Sequence, residues 1–326
     1  MEVAVSWRVP AEISVEARLA RALQATYPPG LLGSVRRKTI RTVFGLLHQR
    51  LAMPAPGVMR IADGGTVNID CANTGFLDYA ARNRREGAYE PEVSATLAAF
   101  ADRLRMVYDV GANWGYYPLL LGTDPRFRGS LHAFEVNSST TADLRRVIAG
   151  AGLASRVTVH GFGLSDRNGG ARLSREKHSY LSRIVDSAYS GRTDLVCVRR
   201  LDDLRLPPPD LIKIDVEGHE LAVLTGAAGV LARHQPLVII ESWYQPASVE
   251  AMLRPLRLLV AFGYRLHRLD WRPLPGAMAE QTVKRGTLVL TPLAVSDRPA
   301  IPQPLNLLAV PPWQEPCFAD TAGLRH

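Results

Sequence analysis

Apolar residues recur along this chain in two rhythms. Short apolar runs at Met106–Val110, Leu131–Phe134, Val157–Gly161, Leu211–Ile214 and Leu237–Ile240 read as strands. Between them, Gly115–Gly122, Ser138–Gly150, Gly218–His234 and Pro246–Phe262 read as helices. This alternation predicts βαβ units, and hence an α/β fold with a parallel sheet. Two later strands are expected at Tyr264–Leu269 and Leu305–Val310, with a further one at Gly286–Pro292. Residues 271–304, rich in Pro, Gly and Arg, read as an excursion before the last strand.

The first 55 residues look separate. Ala11–Ala25 reads as a helix ended by Pro28-Pro29-Gly30, and Ser34–Leu51 as a second, basic amphipathic helix. Such a helix packs on the domain or a second copy, giving a homodimer, or docks on a membrane surface or nucleic acid. Residues 56–90 predict strands at Val58–Ile61 and Thr66–Asp70, then a helix near Asp78–Asn83. The loop Gly87–Glu92 opens a further helix that runs to about Arg103.

Composition narrows the class. The chain has 326 residues, with 47% hydrophobic and 21% charged residues, as in globular proteins. No apolar run approaches the ~20 residues of a membrane span. Met1–Pro10 lacks the pattern of a signal peptide. Three cysteines, Cys71, Cys197 and Cys317, show no C-x-x-C spacing. They point to a reducing cytoplasm and away from a cysteine-built zinc site. The net charge of +8 fits either an acidic partner or a solvated basic surface.

The chemistry gathers where strands end, because ligands of open α/β sheets bind outside the carboxyl ends of the strands. The first such end reads Asp109-Val110-Gly111-Ala112-Asn113-Trp114-Gly115. It lacks the middle glycine of G-x-G-x-x-G, and a carboxylate there would repel a pyrophosphate. It would attract a cation, such as the amino group or sulfonium of S-adenosylmethionine. An NAD-dependent oxidoreductase is disfavoured for the same reason. Glu135, at the second strand end, is placed to accept both ribose hydroxyls. Asp166, after the third, either accepts from an adenine amine or forms a turn.

The fourth strand ends in Asp215-Val216-Glu217-Gly218-His219-Glu220, and the fifth in Glu241-Ser242-Trp243. Asp215 or His219 suits a general base, and Glu241 could complete an acid/base group. Alternatively Asp215, Glu217 and Glu241 would hold Mg²⁺ or another divalent metal that lowers a hydroxyl pKa. Glu220 is expected to face a helix surface or make a structural pair. The polar segment Arg175–Arg183 is a candidate lid, with His178 and Tyr180 as candidate substrate contacts.

These stretches, with Leu201-Asp202-Asp203-Leu204 and Ile212-Lys213-Ile214-Asp215-Val216-Glu217-Gly218-His219-Glu220, resemble the FkbM-type methyltransferases. Tyr89-Glu90-Pro91 and Asn306–Val310 add to the likeness, which covers about residues 87–245 and weakens beyond them. The resemblance implies a class I methyltransferase (Rossmann-like) domain over 56–326, with seven strands, the last antiparallel, behind an N-terminal helical extension over 1–55. It implies S-adenosylmethionine as methyl donor and O-methylation of a small-molecule acceptor, a secondary metabolite or glycan. By position, Asp109, Gly111, Asn113, Gly115, Glu135 and Asp166 would line the cofactor, joined by Tyr89, Glu90, Tyr116, Val136 and Leu164. Asp215 to His219 would face the methyl group and the acceptor. Nucleic acid is a less favoured partner. The alternatives are N-methylation and a non-catalytic protein that keeps the cofactor pocket while its basic helix docks a partner.

Overall fold

The computed structural model describes residues 1–15, 56–62, 65–70, 76, 79–80, 89–176, 181–244, 246–274 and 283–314. In chain order its strands are β1 (Glu2–Arg8), β2 (Ala11–Val15), β3 (Pro56–Ile61), β4 (Thr66–Asp70), β5 (Met106–Val110), β6 (Ser130–Phe134), β7 (Val157–His160), β8 (Gly163–Leu164), β9 (Gly169–Ser174), β10 (Ile184–Val185), β11 (Thr193–Arg199), β12 (Leu211–Ile214), β13 (Leu237–Ser242), β14 (Arg265–Pro273), β15 (Val283–Pro292) and β16 (Leu305–Val310). Helices are α1 (Pro91–Phe100), α2 (Tyr116–Gly122), α3 (Ser138–Gly150), α4 (Glu220–Gly226), α5 (Ala228–His234) and α6 (Val249–Ala261).

The main sheet has nine strands in the order β1-β15-β14-β16-β13-β12-β5-β6-β7. Strands β13, β12, β5, β6 and β7 run parallel, and β16 is antiparallel to both of its neighbours. Every residue of β12 is buried, as expected of a central strand covered on both faces. One face packs Val107, Leu131, Leu211 and Leu237 against Leu97 of α1, Leu119 of α2 and Leu144 of α3. The other packs Val110, Ile212, Ile214 and Val238 against Val223 and Leu224 of α4 and Leu256 and Leu259 of α6. The alternation of side chains along each strand thus produces two cores from one sheet.

Several expectations change. Glu2–Arg8 and Ala11–Val15 are strands rather than part of a helical extension: β1 pairs with β15 across the whole of Glu2–Arg8, and Ala11–Val15, the start of an expected helix, pairs with β3. Val5 and Trp7 of β1 are buried while Glu2, Ala4, Ser6 and Arg8 are exposed, a period of two that pairing with a strand some 280 residues away exploits. The remainder of that extension, including Ser34–Leu51, lies outside the described residues. The expected seven strands are therefore extended to nine, with β15 and β1 beyond β14. Within the expected excursion of 271–304, Val283–Pro292 forms a full sheet strand. Gly218–His234 forms two short helices, broken at Ala227, whose φ of −109° leaves the helical region. Between β7 and β12 the chain builds a small sheet, β10-β9-β11-β8. No helix among the described residues is long and apolar enough to cross a membrane.

Candidate functional site

A cavity of about 410 Å³ opens at the carboxyl ends of β5, β6, β12 and β13. Tyr89, Glu90, Gly111, Asn113, Tyr116, Glu135, Val136, Leu164, Asp215, Glu217, His219 and Glu241 all line it. Segments as far apart as Tyr89 and Glu241 thus converge on one space. Among the described residues, four non-glycine side chains sit on backbone with φ between 39° and 53°, and three of them, Glu90, Asn113 and Glu217, line this cavity. Left-handed backbone at such residues costs energy, and its concentration here marks a site whose geometry the surroundings impose.

The turn after β5 is drawn tightly against β12. The N–H groups of Gly111 and Ala112 both donate to the Phe134 carbonyl at 3.0 Å. Gly111 has φ +84°, and a Cβ there would stand 1.9 Å from the Asp215 carbonyl oxygen. Only glycine permits this approach. Gly115, at φ +101°, starts α2 from a left-handed position and leaves room for Leu144.

Glu135 is held from both sides. Its Oε2 accepts from the Asn113 N–H at 3.0 Å, and its Oε1 from the Asn137 N–H at 2.8 Å. Burial pushes its carboxyl up to about 7, against the pull of those two N–H groups. Each oxygen keeps lone-pair capacity for a further donor from the cavity. Asp109 is 1% exposed, and neither of its oxygens has a hydrogen-bond partner among the described residues. Burial raises it to about 6, Lys213 opposing. It lies beneath the floor and does not line the cavity.

The acidic cluster is compact. One oxygen each of Asp215, Glu217 and Glu241 lie within 4.8 Å of one another. Burial, the Asp215 charge and the Glu90 charge push Glu241 up to about 10. Glu217 rises to about 7 through burial and then Asp215. Glu90 also rises to about 7, through burial and Asp215, while Lys213 and the Tyr117 hydroxyl, which donates to it, work the other way. Crowded carboxyl groups cannot all ionise, so the cluster retains protons at neutral pH.

His219 lines the cavity, yet its Nε2 bonds Ser165 Oγ at 2.9 Å, and that hydroxyl meets Asp166 Oδ1 at 3.0 Å. Burial lowers its pKa. The expected base therefore sits beside the loop after β8. Asp166 is itself exposed and bonded to Ser165 and Arg167, outside the cavity lining. Glu220 Oε1 accepts from the Gly218 N–H at 2.9 Å, which matches the structural part expected of it. His178 and Tyr180 lie outside the described residues.

Several lining residues carry no local signal of that role in the sequence. Trp243, Leu305 and Asn306 close the side away from Glu135. Asn306 Nδ2 donates to Glu92 at 2.8 Å, and Arg298, 0% exposed, ties Ser242 to the carbonyls of Ile301 and Gln303. These contacts join distant parts of the chain and leave no local pattern. Lys213 did leave one: a lysine inside a fully buried strand, two residues before Asp215 and so on its face.

Residues 109–266 match the model of a family described as the methyltransferase FkbM domain. No curated protein matches the chain. Among solved structures, the methyltransferase FkbM from Methylobacillus flagellatus aligns at 23% identity and a TM-score of 0.41, over 65% of this chain and 52% of that one. The alignment thus spans about half of that protein's length. The O-methyltransferase from Bacillus cereus in complex with SAH aligns at 14% identity, a TM-score of 0.37, and 68% and 91% coverage. Fibrillarin from Aeropyrum pernix in complex with S-adenosyl-L-methionine aligns at 13% identity, a TM-score of 0.35, and 72% and 94% coverage.

Proposed function

From the match of residues 109–266 to the FkbM methyltransferase domain, we propose that the protein is an S-adenosylmethionine-dependent O-methyltransferase. Its acceptor in this reading is a hydroxyl of a small molecule or glycan. The observation that carries the reading is Glu135, its two oxygens fixed by two backbone N–H groups at one end of a cavity whose other end is a carboxylate cluster. A diol bound at the first end and a cationic centre toward the second fit the chemistry of this cofactor. Asp109, buried without a hydrogen bond and 3.9 Å from Lys213 Nζ, adds negative charge beneath that end. A pyrophosphate would meet mostly like charge here.

Bound in this cavity, S-adenosylmethionine would supply an electrophilic methyl group on a sulfonium. Glu135 would accept the ribose hydroxyls, and Val136 and Leu164 would flank the adenine. Tyr89, Glu90 and Tyr116 would close over the methionine end, above Asp109. Much of the rate then comes from holding the acceptor oxygen in line with the methyl carbon. In this reading the acceptor proton passes to Asp215, whose carboxyl group stands beside that of Glu241.

A second reading is favoured by one observation. The clustered oxygens of Asp215, Glu217 and Glu241 are the hard donors that Mg²⁺ or Mn²⁺ prefers. A cation there would lower the acceptor hydroxyl's pKa and replace the need for a strong base. N-methylation remains the runner-up chemistry.

Isothermal titration calorimetry with S-adenosylhomocysteine, with NAD as control, tests the cofactor. Micromolar binding of the former alone is expected. NAD binding alone would overturn the proposal. Screening hydroxylated acceptors with and without a chelator then separates the two readings: turnover indifferent to chelator removes the metal.

A further inference from the structure

Among the described residues, Lys213 is a cavity-lining cation with no part in the transfer proposed. Lys213 Nζ lies 3.0 Å from Asp215 Oδ2 and 3.9 Å from Asp109 Oδ1. It also sits over the Tyr117 ring, 4.6 Å from the centroid, while the Tyr117 hydroxyl donates to Glu90. The lysine side chain is only 4% exposed. The strand register accounts for the meeting: Lys213 pairs with Asp109 across β12 and β5, so both project to one face, and Asp215 follows on that face two residues on. The cavity is otherwise acidic, lined by Glu90, Glu92, Glu135, Asp215, Glu217 and Glu241, although the chain as a whole carries +8. Burying a lone ammonium is costly, and this one is retained where three carboxyl groups surround it. Burial alone would depress its pKa; Asp215, Asp109 and Glu90 more than offset that and hold it above the usual lysine range.

Resting on the methyltransferase reading, we propose that Lys213 is a positioning residue: its ammonium fixes Asp109 beneath the cofactor's methionine end and Asp215 beside the acceptor. One buried charge thereby couples the two halves of the site. Without it, two carboxylates on adjacent strands face each other bare. They then separate or share a proton, and neither is presented as the ligand requires. The adenosine end, held by Glu135 from β6, is outside this clamp.

The test compares two probes on purified full-length protein. S-Adenosylhomocysteine carries the amino-acid tail; methylthioadenosine keeps the adenosine and thioether and lacks the charged groups of the tail. In Lys213→Met, the first is expected to weaken about tenfold or more and the second to stay within about threefold of wild type. Lys213→Gln, which keeps a hydrogen-bonding amide, is the second variant should the first not fold, with the same split expected. A merely structural role lowers the melting temperature and moves both ligands together. Equal loss of both, or loss of neither, overturns the proposal. Wild-type protein that binds neither probe would overturn the cofactor reading instead.

Discussion

The closest approach in the site is also its most testable feature. Gly111→Ala places a methyl group where the Asp215 carbonyl oxygen would be 1.9 Å away, whereas real Cβ contacts stay beyond 3.0 Å, so turn and strand end must part by about 1 Å. The neighbour is backbone at the end of the central strand and cannot rotate aside. The φ of +84° adds strain of about 1–2 kcal/mol for a non-glycine residue. Overpacking in a tight interior adds about 1–3 kcal/mol. The sum, about 2–5 kcal/mol, corresponds to a fall in melting temperature of about 3–7 °C for a chain of this length. Gly152→Ala supplies the control: its φ is +68°, and nothing stands within 4 Å of its Cβ. It incurs the strain alone. Thermal melting followed by calorimetry with S-adenosylhomocysteine is the assay. Gly111→Ala should weaken binding at least about tenfold, since it displaces the turn whose Asn113 N–H orients Glu135. Gly152→Ala should leave binding unchanged. Equal destabilisation by the two variants, with wild-type affinity in both, would refute the argument from close approach.

Other expectations follow from the same geometry. Glu135→Gln replaces an acceptor of two N–H donors with an amide and should weaken S-adenosylhomocysteine and methylthioadenosine together, by about 10–100-fold, a pattern opposite to that of Lys213→Met; calorimetry with both ligands checks it. Arg298→Ala strips partners from the carbonyls of Ser242, Ile301 and Gln303 and should cost at least about 3 kcal/mol, read by denaturant unfolding. His160 stacks on Phe134 and bonds His132 at 2.8 Å, and burial, then His132 and Arg199, lower its pKa to about 4. The unfolded chain therefore binds its proton first, and stability that is full above about pH 6.5 is lost as pH falls toward 4. The raised carboxyl groups Glu90, Glu135 and Glu217 act in the opposite sense, gaining protons in the folded state below about 7. The difference between wild type and His160→Phe isolates the histidine: the variant should gain on wild type as pH drops from 6.5 to 4, and a constant difference would contradict this.

Side-chain spacing along the chain is enough to specify the parallel part of the sheet and the edge at which the site forms. Each inner strand is a short apolar run between helical stretches, a local signal set by side-chain spacing. Its carboxyl end is marked by chemistry written next to it, Asp109 beside Gly111, Glu135 after Phe134, Asp215 after Ile214 and Glu241 after Ile240. Gly111, Glu135, Asp215 and Glu241 do meet in one cavity, while Asp109 lies outside its lining. The register that brings Lys213 opposite Asp109 is different, because pairing across strands is fixed by the whole sheet. The same holds for β1, whose alternation gains meaning only when β15 lies beside it, and for Trp243, Asn306 and Arg298, whose partners stand far along the chain. His219 shows the limit most clearly. Its place in the motif suggested a base, and the hydrogen bond to Ser165, 54 residues earlier, turns it toward the loop after β8. Local spacing decides which elements form and what chemistry their ends carry. Only tertiary packing decides which charges face each other, which are deprived of water, and hence which hold their protons.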